Sequence, residues 1–345
     1  MPKTNIGKFF EDYKIGMLLK HAVPRTLTVG DSAVYKALYS SRFAIYSSDR
    51  FALDCGLGSS PIEELLVFHI IFGKSVSDIS YNAIANLGYA NCRFLKTVYP
   101  GDTLTAESEV IGLKENSNLN SGILYVRTRG TNQEGETVLD FIRWVMIKKR
   151  SNESKLDDPV IPAIKENVSP EELIVPAGLK FDKNYDFLAA GENFTSRDYV
   201  VGELIDHFDA ITVDESEHLA ATRLWQNNAK VHFDTTIRRD GKRLVYGGHV
   251  ISMVRSMSFN GLANAQMVVG VNSGSHVNPT FAGDTIKCWS QILGIFETKV
   301  QGVALLRLRS VAYKGEQEIG KVFDARGHYF PNILLDLDYW VLIPS

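Results

Sequence analysis

The chain has few cysteines, no long apolar run and no large excess of charge of either sign. Only three of its 345 residues are cysteine, and Cys55, Cys92 and Cys288 lie far apart and form no CxxC pair. This spacing argues against a disulfide framework or a zinc site. Free thiols are typical of a reducing compartment. With 45% hydrophobic and 22% charged residues, the chain has the composition of a globular protein of about two domains.

Several classes of partner are also disfavoured by what the sequence lacks. No uninterrupted stretch reaches the roughly 18 apolar residues that a membrane helix needs. The N-terminal segment MPKTNIGKFFEDYKIG does not have the apolar run of a secretory signal. The net charge of -3 does not favour nucleic acid or an anionic membrane. We therefore expect a cytoplasmic protein with no nucleic-acid or membrane partner.

Six short strings recur in the same order in the two halves of the chain. The offset between them varies only from 178 residues (Leu66 to Leu244) to 186 residues (Asp12 to Asp198), as loop insertions would produce. The matches are Asp12-Tyr13 and Gly16 with Asp198-Tyr199 and Gly202, Thr28-Val29 with Thr212-Val213, Leu66-Val67-Phe68 with Leu244-Val245-Tyr246, Ser80, Asn82, Ala85 and Asn86 with Ser258, Asn260, Ala263 and Asn264, Gly101-Asp102-Thr103 with Gly283-Asp284-Thr285, and Gly122, Arg127 and Arg129 with Gly302, Arg307 and Arg309. They predict a duplication, with domains at 1–150 and 191–345 and a linker at 151–190.

Each copy shows the same predicted order of elements. A short β-like lead precedes a polar helix (31–40 and 214–225), then a long apolar helix (61–86 and 248–265), then three or four strands. A helix that is apolar nearly all round must bury most of its surface, which an antiparallel sheet wrapped around it achieves. The sequence therefore predicts an α+β tandem hot-dog fold, with two sheets joined edge to edge. Within the linker, Ser169-Pro170-Glu171-Glu172 is typical of a helix start.

The residues with the clearest chemical pattern precede the long helix of the second copy. His232 stands there with Asn227 five residues before it and Asp234 two residues after it, and Gly247-Gly248 opens the helix. This arrangement resembles the MaoC-like hydratase/dehydratase family, in which an Asp stands five residues before a His just after a short helix. Strings at 226–234, 245–251 and 259–264 extend the resemblance over nearly the whole chain. Asn227 in place of Asp departs from the family pattern.

The resemblance implies the reversible hydration of a branched unsaturated dicarboxylic acyl-CoA, with mesaconyl-CoA giving β-methylmalyl-CoA as the expected reaction. His232 is expected to act as base and acid, with Asn227 or Asp234 as its partner, because its pKa lies near neutrality. The N–H groups of Gly248 and Gly247, at a helix start, are expected to hold the thioester enolate. Arg42, Arg223 and Lys230 are the cations expected to meet the free carboxylate; these three are not ranked.

The resemblance implies an acyl-CoA substrate, no metal or redox cofactor, and possible pairing as a homodimer. The first copy has no general base, since Ser47 stands where His232 stands and Arg42 where Asn227 stands. We expect that copy to shape the pocket. His249 is expected in the core or an interface, and His276 in a turn. A thioesterase on the same fold and a non-catalytic acyl-CoA-binding protein remain alternatives.

Overall fold

The computed structural model describes residues 3–117 and 119–345, which form two similar units. The helices of the first unit are Val29–Tyr39 (α1), Ala44–Ser47 (α2), Asp49–Asp54 (α3) and Glu64–Ser75 (α4). Helix α4 continues as a π-helical turn at Val76–Ser80. The segment that follows the first unit contains the short helix Phe187–Ala190 (α5). Its strands are Leu18–Thr26 (β1), Ala83–Phe94 (β2), Thr103–Glu115 (β3), Ser121–Thr131 (β4) and Thr137–Lys148 (β5).

The second unit repeats this order of elements. Its helices are Glu215–Leu224 (α6), Gly247–Met257 (α7) and Phe259–Leu262 (α8). Its strands are Leu204–Thr212 (β6), Met267–His276 (β7), Thr285–Glu297 (β8), Val303–Lys314 (β9) and Ile333–Pro344 (β10). Short 3-10 turns lie at Phe10–Asp12, Pro170–Glu172, Ser196–Asp198, Lys230–His232 and Thr235–Ile237.

The ten strands form one antiparallel sheet. Its order is β1-β3-β4-β5-β2-β7-β10-β9-β8-β6, so each unit contributes five neighbouring strands in the same internal order. The units join where β2 pairs with β7, from Tyr89 opposite Gly274 to Arg93 opposite Gly270. Joining in this way removes one exposed sheet edge from each unit.

The sheet wraps around two buried helices. Every residue of α4 is buried, and so is every residue of α7 from Gly248 onward. A helix enclosed on all sides can be apolar on all faces, which is the pattern seen in its sequence. The predicted α+β tandem hot-dog fold is therefore confirmed.

Some of the matched strings occupy equivalent places in the two units. In the first, Leu27 N donates to Asp102 O at 2.8 Å; in the second, Val213 N donates to Asp284 O at 2.9 Å. The strings at 101–103 and 283–285 therefore make the same strand-entry turn. Likewise Arg127 forms an ion pair with Asp140 on β5, and Arg307 forms one with Asp338 on β10.

Two other matches are wrong as structural equivalents. Leu66–Phe68 lies inside α4, whereas Leu244–Tyr246 precedes α7. Similarly, Asn86 lies on β2, whereas Asn264 lies before β7. Short apolar strings recur easily in apolar segments. These two matches therefore pair the correct regions of the two units but not the equivalent residues.

The match between Thr28 and Thr212 is two residues out of register. Thr28 caps the start of α1, where its side chain accepts a hydrogen bond from Asp31 N. The residue that caps α6 in the same way is Asp214, which accepts from Ser216 N. Serine, threonine and aspartate are interchangeable in this role, which hides the true equivalence from a comparison of letters.

The first long helix was predicted nine residues too long in total, three at its start and six at its end. It was expected at 61–86, but α4 with its π turn covers 64–80, and Ala83 already begins β2. β2 is central and pairs with both β5 and β7. The stretch from Ala83 to Leu87 does not alternate between polar and apolar residues, so periodicity in the sequence does not separate it from the end of a helix. The polar helices and the alternating strands were placed correctly.

The segment 151–190 runs along both units. Val160 forms a β-bridge with Leu113 of β3, and Val168 N donates to Asn272 Oδ1 on β7 at 2.8 Å. The helix start predicted at Ser169 is confirmed as one turn of 3-10 helix, Pro170–Glu172, with proline in its first turn. In the described part of the chain no helix is long and apolar enough to span a membrane.

Candidate active site

A cavity of about 410 Å³ lies where the two units meet. The first unit contributes the end of its π turn and the start of β2, including Ser80, Asn86 and Tyr89. The second contributes the loop that carries Asn227 and His232, together with the start of α7 and the end of β7. Concave sites with an apolar lining and a few polar groups are typical of small-molecule binding.

His232 reaches this cavity from the 3-10 turn at Lys230–His232. Its Nδ1 lies 2.7 Å from Leu244 O. A carbonyl only accepts, so Nδ1 carries the proton and Nε2 keeps its lone pair. The ring also packs edge-on against Tyr246, with 5.7 Å between ring centroids. Burial lowers the pKa of His232 to about 4, so the imidazole is neutral at pH 7.

Asn227 lies beside His232 in the same cavity and is buried. Its backbone N donates to Thr222 O at 3.2 Å, and its Oδ1 accepts from Ala229 N at 3.0 Å. Within residues 3–117 and 119–345 its Nδ2 has no hydrogen-bond partner. Asn227 therefore offers the cavity an N–H donor, and its amide is not basic enough to take a proton.

The start of α7 brings one of the two predicted glycines to the cavity. Gly247 lines it, whereas Gly248 is buried and does not line it. A Cβ at Gly247 would lie 2.3 Å from the His276 ring, and one at Gly248 would lie 2.5 Å from the His69 ring. Both positions therefore require glycine, because any side chain there would overlap the adjacent histidine ring. Their N–H groups are at the first turn of the helix, where no helical acceptor is available.

Of the remaining predicted residues, only one reaches the cavity. Lys230 lines the cavity at its mouth, where its Nζ lies 4.7 Å from the centre of the Tyr81 ring. Asp234 is exposed and caps the next turn by accepting from Thr236 N at 2.8 Å. Arg223 is exposed, and Arg42 lies outside the cavity near Asp209, at 3.9 Å. The structure therefore brings His232, Asn227, Gly247 and Lys230 together and leaves the others outside.

Sequence reasoning missed two cavity residues that come from different units. His276 was expected in a turn, but it ends β7 and lines the cavity. The Tyr89 hydroxyl on β2 lies 3.0 Å from His276 Nε2, and burial lowers the pKa of His276 to about 4. No local signal could find this pair, because only the β2–β7 junction brings the two together. His249 is buried and bonded to Tyr39 at 2.7 Å, as expected for a core residue.

The related space at the start of α4 is filled by buried charged side chains. Glu63 and Glu64 are buried there, and burial raises the pKa of each to about 7. Glu64 Oε2 accepts from Val268 N at 3.3 Å. Nearby, Arg255 is buried with its guanidinium 3.5 Å from the centre of the Phe43 ring. The two units are therefore alike in fold and different in what lies at the start of their central helices.

Comparison with known proteins assigns the class first. A crystal structure of a putative MaoC domain protein dehydratase from Chloroflexus aurantiacus superposes with a TM-score of 0.97, at 50% identity, over 100% of this chain and 99% of that one. The chain is thus a MaoC-like protein with a tandem hot-dog fold. Residues 2–322 match the model of the mesaconyl-CoA hydratase family, and the chain belongs to that family.

Two curated relatives cover the chain almost completely. The mesaconyl-CoA hydratase of Cereibacter sphaeroides is 57% identical over 342 residues, which are 99% of each chain. The β-methylmalyl-CoA dehydratase of Chloroflexus aurantiacus is 50% identical over 349 residues, covering 99% of this chain and 98% of that one. The predicted resemblance is confirmed.

Proposed function

We propose that this protein is a hydro-lyase that adds water reversibly to mesaconyl-CoA and gives β-methylmalyl-CoA. The observation that carries the proposal is the near full-length identity to two relatives named for the two directions of this reaction. The cavity supports it with a neutral histidine and helix-start N–H groups. The first domain, 1–150, supplies one wall of the cavity, and the second domain, 191–345, supplies the base.

In the proposed mechanism His232 Nε2 takes a proton from a water molecule. The water oxygen bonds to the β-carbon of the unsaturated thioester, and the electron pair of the double bond moves toward the thioester oxygen. The N–H group of Gly247, which lines the cavity, donates to the enolate oxygen that forms. The His232 imidazolium then gives its proton to the α-carbon, which completes the addition of one water.

Asn227 is proposed to hold the water and not to move a proton. Its free Nδ2 donor can fix the water oxygen beside His232, while its Oδ1 is already bonded to Ala229 N. Asp234 is not assigned a chemical step, because it is exposed and bonded to Thr236. Among the three catalytic residues predicted from sequence, His232 is the one that can carry the proton at this cavity.

At the mouth of the cavity two lysines are proposed to meet the CoA phosphates. Lys148 and Lys230 both line the mouth and are exposed. Long cationic side chains at an opening attract a phosphate without fixing it rigidly. Addition of water involves no oxidation or reduction, so we propose that the enzyme needs no redox cofactor; because His232 can activate the water, we propose that it needs no metal either. We further propose a cytoplasmic location and pairing as a homodimer.

The direct test is to incubate the purified protein with mesaconyl-CoA and identify the product by mass spectrometry. We expect the thioester to gain the mass of one water, and β-methylmalyl-CoA to lose one in the reverse reaction. Release of free CoA would identify a thioesterase instead. Unchanged mesaconyl-CoA that nevertheless binds would identify a non-catalytic acyl-CoA-binding protein.

The pH dependence of kcat/KM should follow the depressed pKa of the base. His232 acts in its neutral form, and burial lowers its pKa to about 4, so the base stays active as the pH falls through 6.5. We expect kcat/KM to be level from pH 8 to about 5 and to fall only near pH 4. An acid limb centred near 6.5 would show that His232 is solvated in the free enzyme, contrary to the structure.

A further inference from the structure

A buried cation without an acidic partner lies directly behind the cavity wall. Arg143 on β5 is fully buried. Its Nη1 donates to Ser80 Oγ and its Nη2 to Ser75 Oγ, each at 2.8 Å, and its guanidinium stacks on Phe72 at 4.2 Å from the ring centre. Within residues 3–117 and 119–345 no carboxylate lies within 4.0 Å of it. By contrast, Arg127 on the neighbouring strand forms an ion pair with Asp140.

Arg143 stays positively charged in this buried position. Burial lowers the pKa of Arg143 to about 10, which still leaves the guanidinium protonated at pH 7. A buried charge is costly unless an opposite charge compensates it. The described residues supply only serine hydroxyls and an aromatic face. The compensating anion is therefore missing from the protein itself.

Ser80 connects this charge to the cavity. It ends the π-helical turn Val76–Ser80 and lines the cavity, and such turns often mark functional positions. Ser80 Oγ accepts from Arg143, and its own O–H has no acceptor in the described part of the chain. Ser75 differs, because it also accepts from Arg143 but donates to Phe72 O at 2.6 Å. Ser80 is thus the hydroxyl left with a proton to donate.

A second unpaired polar group faces the same cavity. Asn86 on β2 lines it, and neither its Oδ1 nor its Nδ2 has a hydrogen-bond partner although both atoms are buried. Buried polar atoms are nearly always satisfied, and unsatisfied ones in a cavity are explained by a ligand or water. Ser80 and Asn86 together offer donors on the wall that Arg143 makes positive.

We propose that Ser80, backed by Arg143, forms the subsite for the free carboxylate of the substrate, so that the cavity selects dicarboxylic acyl-CoAs. This inference rests on the proposed function. The Ser80 hydroxyl donates to the carboxylate. Arg143 is a positioning residue that orients this hydroxyl and supplies the opposite charge. It replaces Arg42 and Arg223, which lie away from the cavity.

The test compares two substrates in matched variants. Mesaconyl-CoA is assayed beside the acyl-CoA that carries a methyl group in place of the free carboxylate. In Ser80→Ala we expect KM for mesaconyl-CoA to rise roughly tenfold, as for loss of a hydrogen bond to a charged group, with kcat nearly unchanged. KM for the methyl analogue should not rise. Selectivity for the dicarboxylic substrate therefore falls about tenfold.

Ser258→Ala is the matched control in the other unit. Ser258, like Ser80, is a buried serine beside a buried arginine, here Arg255 at 3.5 Å, but it does not line the cavity. Its replacement should leave selectivity within about twofold. Arg143→Met should lose selectivity as Ser80→Ala does, and Arg143→Lys, which keeps the charge, should regain part of it. Thermal melts of each variant separate folding from selectivity.

Two outcomes overturn the inference. Either Ser80→Ala weakens both substrates equally, or it changes selectivity no more than Ser258→Ala does. Calorimetric binding of both thioesters gives the same comparison without turnover. A wild-type protein that binds mesaconyl-CoA through Ser80 but does not hydrate it would refute the proposed function and leave the subsite standing.

Discussion

Replacing His232 by asparagine is expected to lower kcat for hydration of mesaconyl-CoA by roughly 10²- to 10⁴-fold, the usual contribution of a general base. Asparagine is close in size and can still donate to Leu244 O, the acceptor that orients His232 Nδ1 at 2.7 Å. It has no lone pair basic enough to take a proton from water. Steady-state kinetics at pH 7.5 should show the loss in kcat, with KM changed much less.

His207→Asn is the matched control for this loss. His207 is also buried, with Nδ1 at 2.8 Å from Asn260 O and Nε2 at 2.8 Å from Ser290 Oγ, and it lies outside the cavity. Its replacement should lower stability and leave kcat within a few-fold. If His232→Asn kept the wild-type kcat, the base would have to be reassigned, and His276 would be the next residue to test.

Gly73→Ala is expected to destabilise the protein by about 1–3 kcal/mol and to lower activity as well. A Cβ at this position would lie 2.0 Å from Trp225 O and 3.3 Å from Asn227 N. In an ordinary exposed helix the same change would stabilise by about 1 kcal/mol, so the sign of the effect reports the close approach of α4 to this backbone. Because that backbone carries Asn227, displacing it also disturbs the cavity. Urea denaturation and kcat/KM measure the two effects.

Gly58→Ala provides the comparison. A Cβ at Gly58 would meet no atom within 4 Å, so this variant should be within about 0.5 kcal/mol of the wild type. A Gly73→Ala protein as stable as Gly58→Ala would mean that the two units are not packed backbone to backbone at this point.

The fold was predictable because its main signals are local. The apolar run in α4, the alternation in β3 and β4, and the repeated turn at 101–103 and 283–285 each lie within one short segment. The prediction was wrong where tertiary context decides the outcome. Ala83–Asn86 forms strand because it pairs with β5, from Ala83 opposite Ile147 to Asn86 opposite Val145, which no nearby residue indicates.

The site was predictable only in its sequence-local part. His232 and Asn227 stand five residues apart, and the same loop brings both to the cavity. Ser80, Tyr89 and His276 reach it from positions far apart in the chain, through the junction of β2 with β7. The motif indicates only cations close to it in the sequence, whereas the buried arginine lies on β5. The absence of an acidic partner for that arginine is visible only in three dimensions.

The filled space at the start of α4 has an evolutionary consequence. In a dimer of identical single-unit chains, every substitution enters both related sites at once. A gene fusion lifts that constraint, since each half then mutates independently. At the start of α4, Glu63 and Glu64 of the first half, together with Arg255 of the second, fill the related space, whereas an opening remains beside His232. With this asymmetry, one ligand can contact two different surfaces, one from each half of the chain. Such a site suits a substrate whose two ends differ in chemistry.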